Sequence, residues 1–137
     1  MGRVLGIDYG DSRVGLALSD PLKIIASPYK TIKNQGSDFL IEEIKSIRIL
    51  EDIEYLVLGL PIGLKGQETK QTTKVRSFGN ILSSLQIDVH LQDERLSSIS
   101  AKKSLIHQNI KTGFNKQMID KTAAAILLQQ FLDTQNR

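Results

Sequence analysis

The stretch "RVLGIDYGDSRVGLALSD" (residues 3–20) contains two apolar runs separated by a polar cluster. The runs at 3–8 and 13–20 have the composition of β-strands, and residues 9–12 between them are typical of a hairpin turn. We therefore predict two antiparallel strands. The first run ends in Asp8, where an unpaired buried carboxylate would be costly, so this position calls for a compensating charge.

The rest of the chain predicts three further strands and four helices. Pro28 cannot donate to a β-ladder, so its strand should lie at a sheet edge. The continuous apolar run at 54–61 is typical of a central strand covered on both faces of a parallel sheet. Helices are predicted from apolar residues at helical spacing. The expected strands are 3–8, 13–20, 23–32, 54–61 and 87–94, and the expected helices are about 37–52, one containing Val75, Phe78, Leu82 and Leu85, one from about Ile99, and 116–133.

This order, βββαβαβαα, predicts an α/β fold with a five-stranded mixed sheet crossed by helices. With 137 residues and no linker or internal repeat, the chain 1–137 is expected to form a single domain.

The composition excludes several classes of site. The chain has no cysteine, which excludes disulfides and thiolate metal sites and suits a reducing compartment, so cytoplasm is the expected location. No apolar run approaches the roughly 18 residues of a membrane span. Aromatic residues make up 5% and the net charge is +3, so any nucleic-acid binding would depend on charge and backbone amides more than on base stacking.

Three carboxylates stand out by position. Asp8 and Glu94 end predicted strands, and the carboxyl ends of parallel strands are where sites gather in such sheets. Asp120 lies in the last helix on the stripe that continues through Ala124, Leu127 and Phe131, which should face the sheet. Each acid alone is compatible with an ordinary solvated loop or helix start. Together they would repel one another unless a cation compensates, and oxygen ligands favour Mg²⁺ or Mn²⁺.

Positive charge surrounds two of these acids in sequence. Residues 95–121 contain six basic residues against the single acid Asp120, namely Arg95, Lys102, Lys103, Lys111, Lys116 and Lys121. Carboxylate-bound metals beside a basic surface suit phosphodiester hydrolysis. A solvated helix face is the alternative interpretation of the lysines. The glycine-containing stretch "GLPIGLKG" (59–66) could present amides to a phosphate or form a plain turn.

Four segments carry a family resemblance. "GIDYGDSRVGLALSD", "VLGLPIGLKGQE", "DERLSSISA" and "IDKTAAAILLQQFL" resemble, in order and spacing, the landmarks of the YqgF or RuvX family of bacterial ribonuclease-H-like proteins. The resemblance covers nearly the whole chain. It implies a five-stranded mixed sheet flanked by helices and a metal-dependent nuclease whose acidic site would be Asp8, Glu94 and Asp120.

The resemblance also implies substrate contacts and a substrate. Arg13 and Arg95 resemble family positions suited to phosphate contact, although Arg95 could equally pair with an acid. Relatives often carry "GLPxNxDG" where this chain has Gly63 and Lys65, which puts a loop contact from the Asn in doubt while Lys65 adds a possible phosphate contact. The expected activity is maturation of the 5′ end of pre-16S ribosomal RNA.

Three alternatives remain open. A Holliday junction resolvase would use the same chemistry on four-way DNA but make two symmetric cuts, and so should dimerise; we expect a monomer or weak homodimer. The hairpin also resembles the phosphate-binding hairpin of actin-like ATPases and sugar kinases, which need two such domains. A non-catalytic RNA or ribosome binder would use the basic surface without the acids.

Overall fold

The computed structural model describes residues 2–63, 65–94 and 116–136, with the side chains of 116 and 117 excepted. Eight elements follow one another along these residues. They are β1 (Arg3–Tyr9), β2 (Arg13–Ser19), β3 (Ala26–Lys33), α1 (Ser37–Glu51), β4 (Ile53–Leu60), α2 (Lys70–Ser83), β5 (Val89–Asp93) and α3 (Lys116–Gln135).

The five strands form one mixed sheet in the order β3-β2-β1-β4-β5. The predicted hairpin is confirmed: β1 and β2 are antiparallel, with Asp8 opposite Gly15, and β2 pairs antiparallel with β3. The strand β4 is parallel to both β1 and β5, which explains its continuous apolar sequence. Pro28 lies on β3, at a sheet edge as predicted. The carboxyl ends of β1, β4 and β5 therefore meet at one edge of the sheet.

The helices cover opposite faces of the sheet. Leu5 and Ile7 of β1 belong to the apolar core that also contains buried residues of α1 and α2. Because side chains alternate along a strand, Val4, Gly6 and Asp8 face the other side, where Val4 packs in a second core with residues of α3. The predicted α3 stripe faces the sheet, since Ala124, Leu127 and Phe131 are buried.

Glycines in the strands allow α3 to lie directly on the sheet. A Cβ on Gly6 would lie 2.9 Å from the Cβ of Leu128, and a Cβ on Gly15 would collide with the backbone carbonyl oxygen of Asp120. Such close backbone approach is a common reason for glycine inside a strand. The start of α3 is thereby held over the β1–β2 hairpin.

Two strand boundaries differ from the prediction. The strand β3 begins at Ala26 instead of residue 23, because Asp20 accepts hydrogen bonds through Oδ1 from the amides of Ile24 (2.8 Å) and Ile25 (2.9 Å), which closes a turn before the strand. The strand β5 is limited to Val89–Asp93. The helix predicted from about Ile99 lies outside the described residues. Among the described helices, none is long and apolar enough to cross a membrane.

The contact of α3 with Gly15 predicts that adding a methyl group at residue 15 lowers the free energy of unfolding. We expect Gly15→Ala to lower the free energy of unfolding by about 1–3 kcal/mol or more, because the methyl group meets helix backbone that has no rotamer to relieve the clash. Gly79→Ala in α2 is the matched control. Its Cβ would meet the flexible ends of two side chains, Leu58 at 3.3 Å and Leu91 at 4.0 Å, and alanine gains up to about 1 kcal/mol of helix propensity. Urea denaturation compares the two; equal effects would contradict the close contact.

Candidate active site

The three predicted carboxylates lie at the edge of the sheet where its parallel strands end. Asp8 is the penultimate residue of β1 and is 8% exposed, and Glu94 directly follows β5 and is 6% exposed. The Glu94 amide donates a hydrogen bond to the Leu60 carbonyl oxygen at 3.2 Å, which continues the β4–β5 pairing to the site. Asp120 lies near the start of α3, with its side chain 20% exposed.

Gly59 brings the Glu94 carboxylate close to β1. A Cβ on Gly59 would lie 2.8 Å from Glu94 Oε1, so the carboxylate occupies the space that a side chain would need. Ile7 pairs with Leu58, and the next residues along these two parallel strands are Asp8 and Gly59. Neighbouring strands lie about 5 Å apart, so the Glu94 carboxylate lies roughly one strand spacing from Asp8.

Asp120 approaches the same place from the helix. Its carbonyl oxygen lies against Gly15, the residue opposite Asp8 in the hairpin. Its carboxylate accepts a hydrogen bond from Arg13 Nε at 2.6 Å, within a half-buried ion pair. Arg13 is the first residue of β2, so this bond links the beginning of the second strand to the beginning of α3. All three acids thus lie on the α3 side of the sheet.

Carboxylate oxygens suit a hard divalent cation, but the three carboxylates do not surround one common point. Within residues 2–63, 65–94 and 116–136, no group of three His, Cys, Asp or Glu side chains is close enough together to hold a metal ion. Asp8 and Glu94 are buried carboxylates at the carboxyl ends of β1 and β5, on either side of β4, whereas the Asp120 carboxylate is bonded to Arg13. Oxygen ligands of this kind fit Mg²⁺ or Mn²⁺ and exclude a thiolate-type zinc site.

Some of the predicted basic residues lie within the described part of the chain, and the others lie outside it. Arg13 contacts Asp120, Lys65 is exposed on the loop after β4, and Lys121 lies half-buried on α3 beside Asp120. Lys116 begins α3, and only its backbone is described. The remaining predicted contacts lie outside the described residues: Arg95, Lys102, Lys103 and Lys111.

The glycine-containing stretch after β4 forms a self-contained turn. The Gly63 amide donates to the Gln67 carbonyl oxygen (2.9 Å), the Gly66 amide to the Gly63 carbonyl oxygen (2.8 Å), and the Lys65 amide to Gln67 Oε1 (3.0 Å). The Thr72 hydroxyl of α2 donates to the Pro61 carbonyl oxygen and fixes the base of the loop. These amides are used within the turn, which favours the plain-turn interpretation over a phosphate cradle.

One basic feature near the site was missed from the sequence. A cleft of about 250 Å³ is lined by Ser12, Arg13, Thr31 and Lys33. Arg13 and Lys33 are paired across β2 and β3, and antiparallel partners project to the same face. Lys33 is an isolated lysine in the sequence, so no charge cluster marks it. Antiparallel pairing of residues 13–19 with the Pro28 strand that follows them was the signal that could have placed Lys33 beside Arg13.

Comparison with known proteins identifies the family of the chain. Residues 2–134 match the family model RuvX, described as Holliday junction resolvase. The chain belongs to the RuvX family. A relative from Clostridium kluyveri is 39% identical over 132 residues, covering 96% of both chains, and one from Dictyoglomus thermophilum is 41% identical over 135 residues with the same coverage. Both relatives carry the name "Putative pre-16S rRNA nuclease".

Solved structures extend the likeness of this RuvX protein to a wider fold. Thermus thermophilus RuvC in complex with a Holliday junction substrate aligns with a TM-score of 0.61 at 10% identity, over 98% of this chain and 96% of that one. Fowlpox virus resolvase in complex with Holliday junction DNA aligns with a TM-score of 0.53 at 10% identity, over 98% and 99%. At such low identity the likeness establishes the shared fold, which is the ribonuclease-H-like sheet that the family resemblance implied.

The ion pair between Arg13 and Asp120 should contribute measurably to folding. A double-mutant cycle with Arg13→Gln and Asp120→Asn is expected to give a coupling free energy of about 0.5–1 kcal/mol in urea denaturation, because the pair is half-buried and short. The exposed pair Lys74–Asp11, with side chains 55% and 61% exposed, is the control and should couple by close to zero. A coupling at Arg13–Asp120 no larger than that of the control would contradict the geometry.

Proposed function

We propose that this RuvX-family chain is a metal-dependent endonuclease that processes the 5′ end of pre-16S ribosomal RNA. The observation that carries the nuclease chemistry is the burial of Asp8 and Glu94 at the carboxyl ends of β1 and β5, on either side of β4, with Asp120 held over the same edge by α3. The names of the relatives that cover nearly the whole chain support ribosomal RNA as the substrate. Such a substrate places the protein in the bacterial cytoplasm.

In this proposal the carboxylates hold the metal and the basic residues hold the substrate. Asp8, Glu94 and Asp120 would bind Mg²⁺ or Mn²⁺, which activates water and stabilises the leaving oxygen in phosphodiester hydrolysis. Glu94 keeps its position because Gly59 leaves space for its carboxylate. Asp120 accepts the Arg13 hydrogen bond through Oδ2 and would offer Oδ1 to the metal, so Arg13 would position this carboxylate. Arg13 and Lys121 supply positive charge toward the phosphate backbone.

The first test compares two aspartates of the hairpin. We expect wild type with Mg²⁺ or Mn²⁺ to cut a labelled 5′-extended 16S RNA fragment and Asp8→Asn to lower the rate by on the order of a hundredfold or more, because the metal contributes several kcal/mol to the transition state. Asp11→Asn is the control. Asp11 is exposed in the hairpin turn and pairs with Lys74, so its loss should leave cleavage unchanged.

The same assay separates the alternatives. Paired, symmetric cuts in a labelled four-way DNA junction, lost in Asp8→Asn, would favour the resolvase that the family description names. Equal loss in Asp8→Asn and Asp11→Asn would contradict a role for the buried acid. RNA binding without cleavage, unaffected by Asp8→Asn, would favour a non-catalytic binder. The expected monomer or weak homodimer stays a prediction, which sedimentation of the active protein would decide.

Metal binding has a readout independent of activity. A cation that binds only the folded state should raise Tm, with about 2.7 kcal/mol of added stability at a hundredfold excess over its Kd. We expect Mn²⁺ to raise the Tm of wild type and to have a much smaller effect on Glu94→Gln. Glu42→Gln, an exposed change on α1, should keep the wild-type response. An Mn²⁺ effect that survives in Glu94→Gln would place the metal elsewhere.

A further inference from the structure

A cationic cleft lies beside the acidic site and is formed by other residues. It measures about 250 Å³ and is lined by Ser12, Arg13, Thr31 and Lys33, which offer two cations and two hydroxyl groups. Lys33 is exposed and ends the edge strand β3. No carboxylate belongs to the four lining side chains, although Arg13 also contacts Asp120.

The sheet register fixes the face on which this cleft opens. Arg13 pairs with Lys33 and Gly15 pairs with Thr31. Ile32, between Thr31 and Lys33, is buried in the core on the α1 and α2 side, so Thr31 and Lys33 project to the α3 side. This is the side on which Asp8 and Asp120 lie. The cleft therefore opens on the same surface as the carboxylates.

The cleft is close enough to share one substrate strand with those carboxylates. The strand β2 lies directly between β1, which carries Asp8, and β3, which carries Lys33. Asp8, Gly15 and Thr31 lie in register on the three strands, so two strand spacings, about 10 Å, separate Asp8 from Thr31, and Lys33 lies two residues further along β3. Asp120 lies between the two ends of this path, over Gly15. A nucleic acid strand with its scissile phosphate at the acids can extend across β2 toward the edge of the sheet.

We propose that the Ser12, Arg13, Thr31 and Lys33 cleft is a phosphate subsite that binds the backbone of the substrate strand one phosphate or more away from the bond that is cut. The assignment rests on the proposed nuclease function. Arg13 contacts Asp120 through Nε, and a guanidinium has five N–H donors, so it can bind a phosphate oxygen as well. Lys33 adds a second cation from the neighbouring strand, and hydroxyl groups complete an anion site.

The test removes one charge from each face of β3. Lys33→Gln takes a cation from the cleft, whereas Lys30→Gln takes one from the same strand where it pairs with Leu16, a residue of the opposite core. Binding of the 5′-extended 16S RNA fragment is measured against salt concentration with EDTA present, and cleavage is measured with Mg²⁺. We expect Lys33→Gln to weaken binding about 3- to 10-fold at low salt and to lower the salt slope by about 0.7–1. Its KM should rise with kcat kept, and Lys30→Gln should match wild type.

The outcomes separate this subsite from the nuclease itself. If Asp8→Asn abolishes cleavage but Lys33→Gln leaves KM, Kd and salt slope as in Lys30→Gln, the subsite is wrong and the nuclease stands. If wild type cuts no RNA yet Lys33→Gln selectively weakens RNA binding, the nuclease assignment fails, and the cleft stands as an RNA-backbone contact but not as a subsite of a cleavage site. No detectable RNA binding by wild type would overturn the subsite, as would equal weakening by both lysine variants. Circular dichroism and Tm confirm that both variants fold.

Discussion

The contact between the backbone of α3 and the glycines of the sheet is the constraint on which the site depends. Gly15 leaves space for the Asp120 carbonyl oxygen, and Gly6 leaves space for Leu128, about two turns further along α3. With side chains at these positions, a helix would have to stand further from the sheet, as helices on ordinary apolar surfaces do. The direct contact places Asp120 beside the hairpin residue opposite Asp8. The geometry of the candidate site is thus set by the absence of side chains at these glycines as much as by the carboxylates themselves.

Burial of the acids follows from the same packing. Asp8 and Glu94 are each less than a tenth exposed, where a charged group without compensation is expensive. Gly59 adds to this arrangement, since it admits the Glu94 carboxylate over β4, next to β1. The fold therefore accepts two buried acids near one another at the end of a parallel sheet. Burial of two carboxylates adds nothing to apolar packing, which fits the metal site proposed for them.

Much of this arrangement could be predicted from local patterns. The hairpin follows from two apolar runs around a turn cluster, the edge position of Pro28 from its missing amide, and the sheet-facing stripe of α3 from helical spacing. The three acids were found because each ends a strand or lies on that stripe. The turn before β3, which moves the start of the strand to Ala26, was not predicted. It depends on one side chain, Asp20, which accepts hydrogen bonds from the amides four and five residues later.

Contacts between residues far apart in sequence could not be read in the same way. The hydrogen bond from Arg13 to Asp120 joins residues 107 positions apart. It forms because the backbone of α3 packs closely against Gly15. The sequence pointed to Arg13 only through a family resemblance and did not indicate Lys33. Their pairing arises from the register of β2 and β3, which is irregular between Leu16 and Ala17. Non-local register is the information that single-sequence patterns lack.

Substitutions of Arg13 and Lys33 would therefore affect different parts of the candidate site. Arg13 both holds the Asp120 carboxylate and lines the cleft, so its removal would change the acidic site and the cationic cleft together. A loss of cleavage in an Arg13 variant could then arise from a displaced acid, a lost phosphate contact, or both. Lys33 lines the same cleft with none of the described ion pairs to the acids. Of the two cations in the cleft, Lys33 is the one at which the proposed substrate holding can be tested apart from the proposed metal holding, because Arg13 takes part in both.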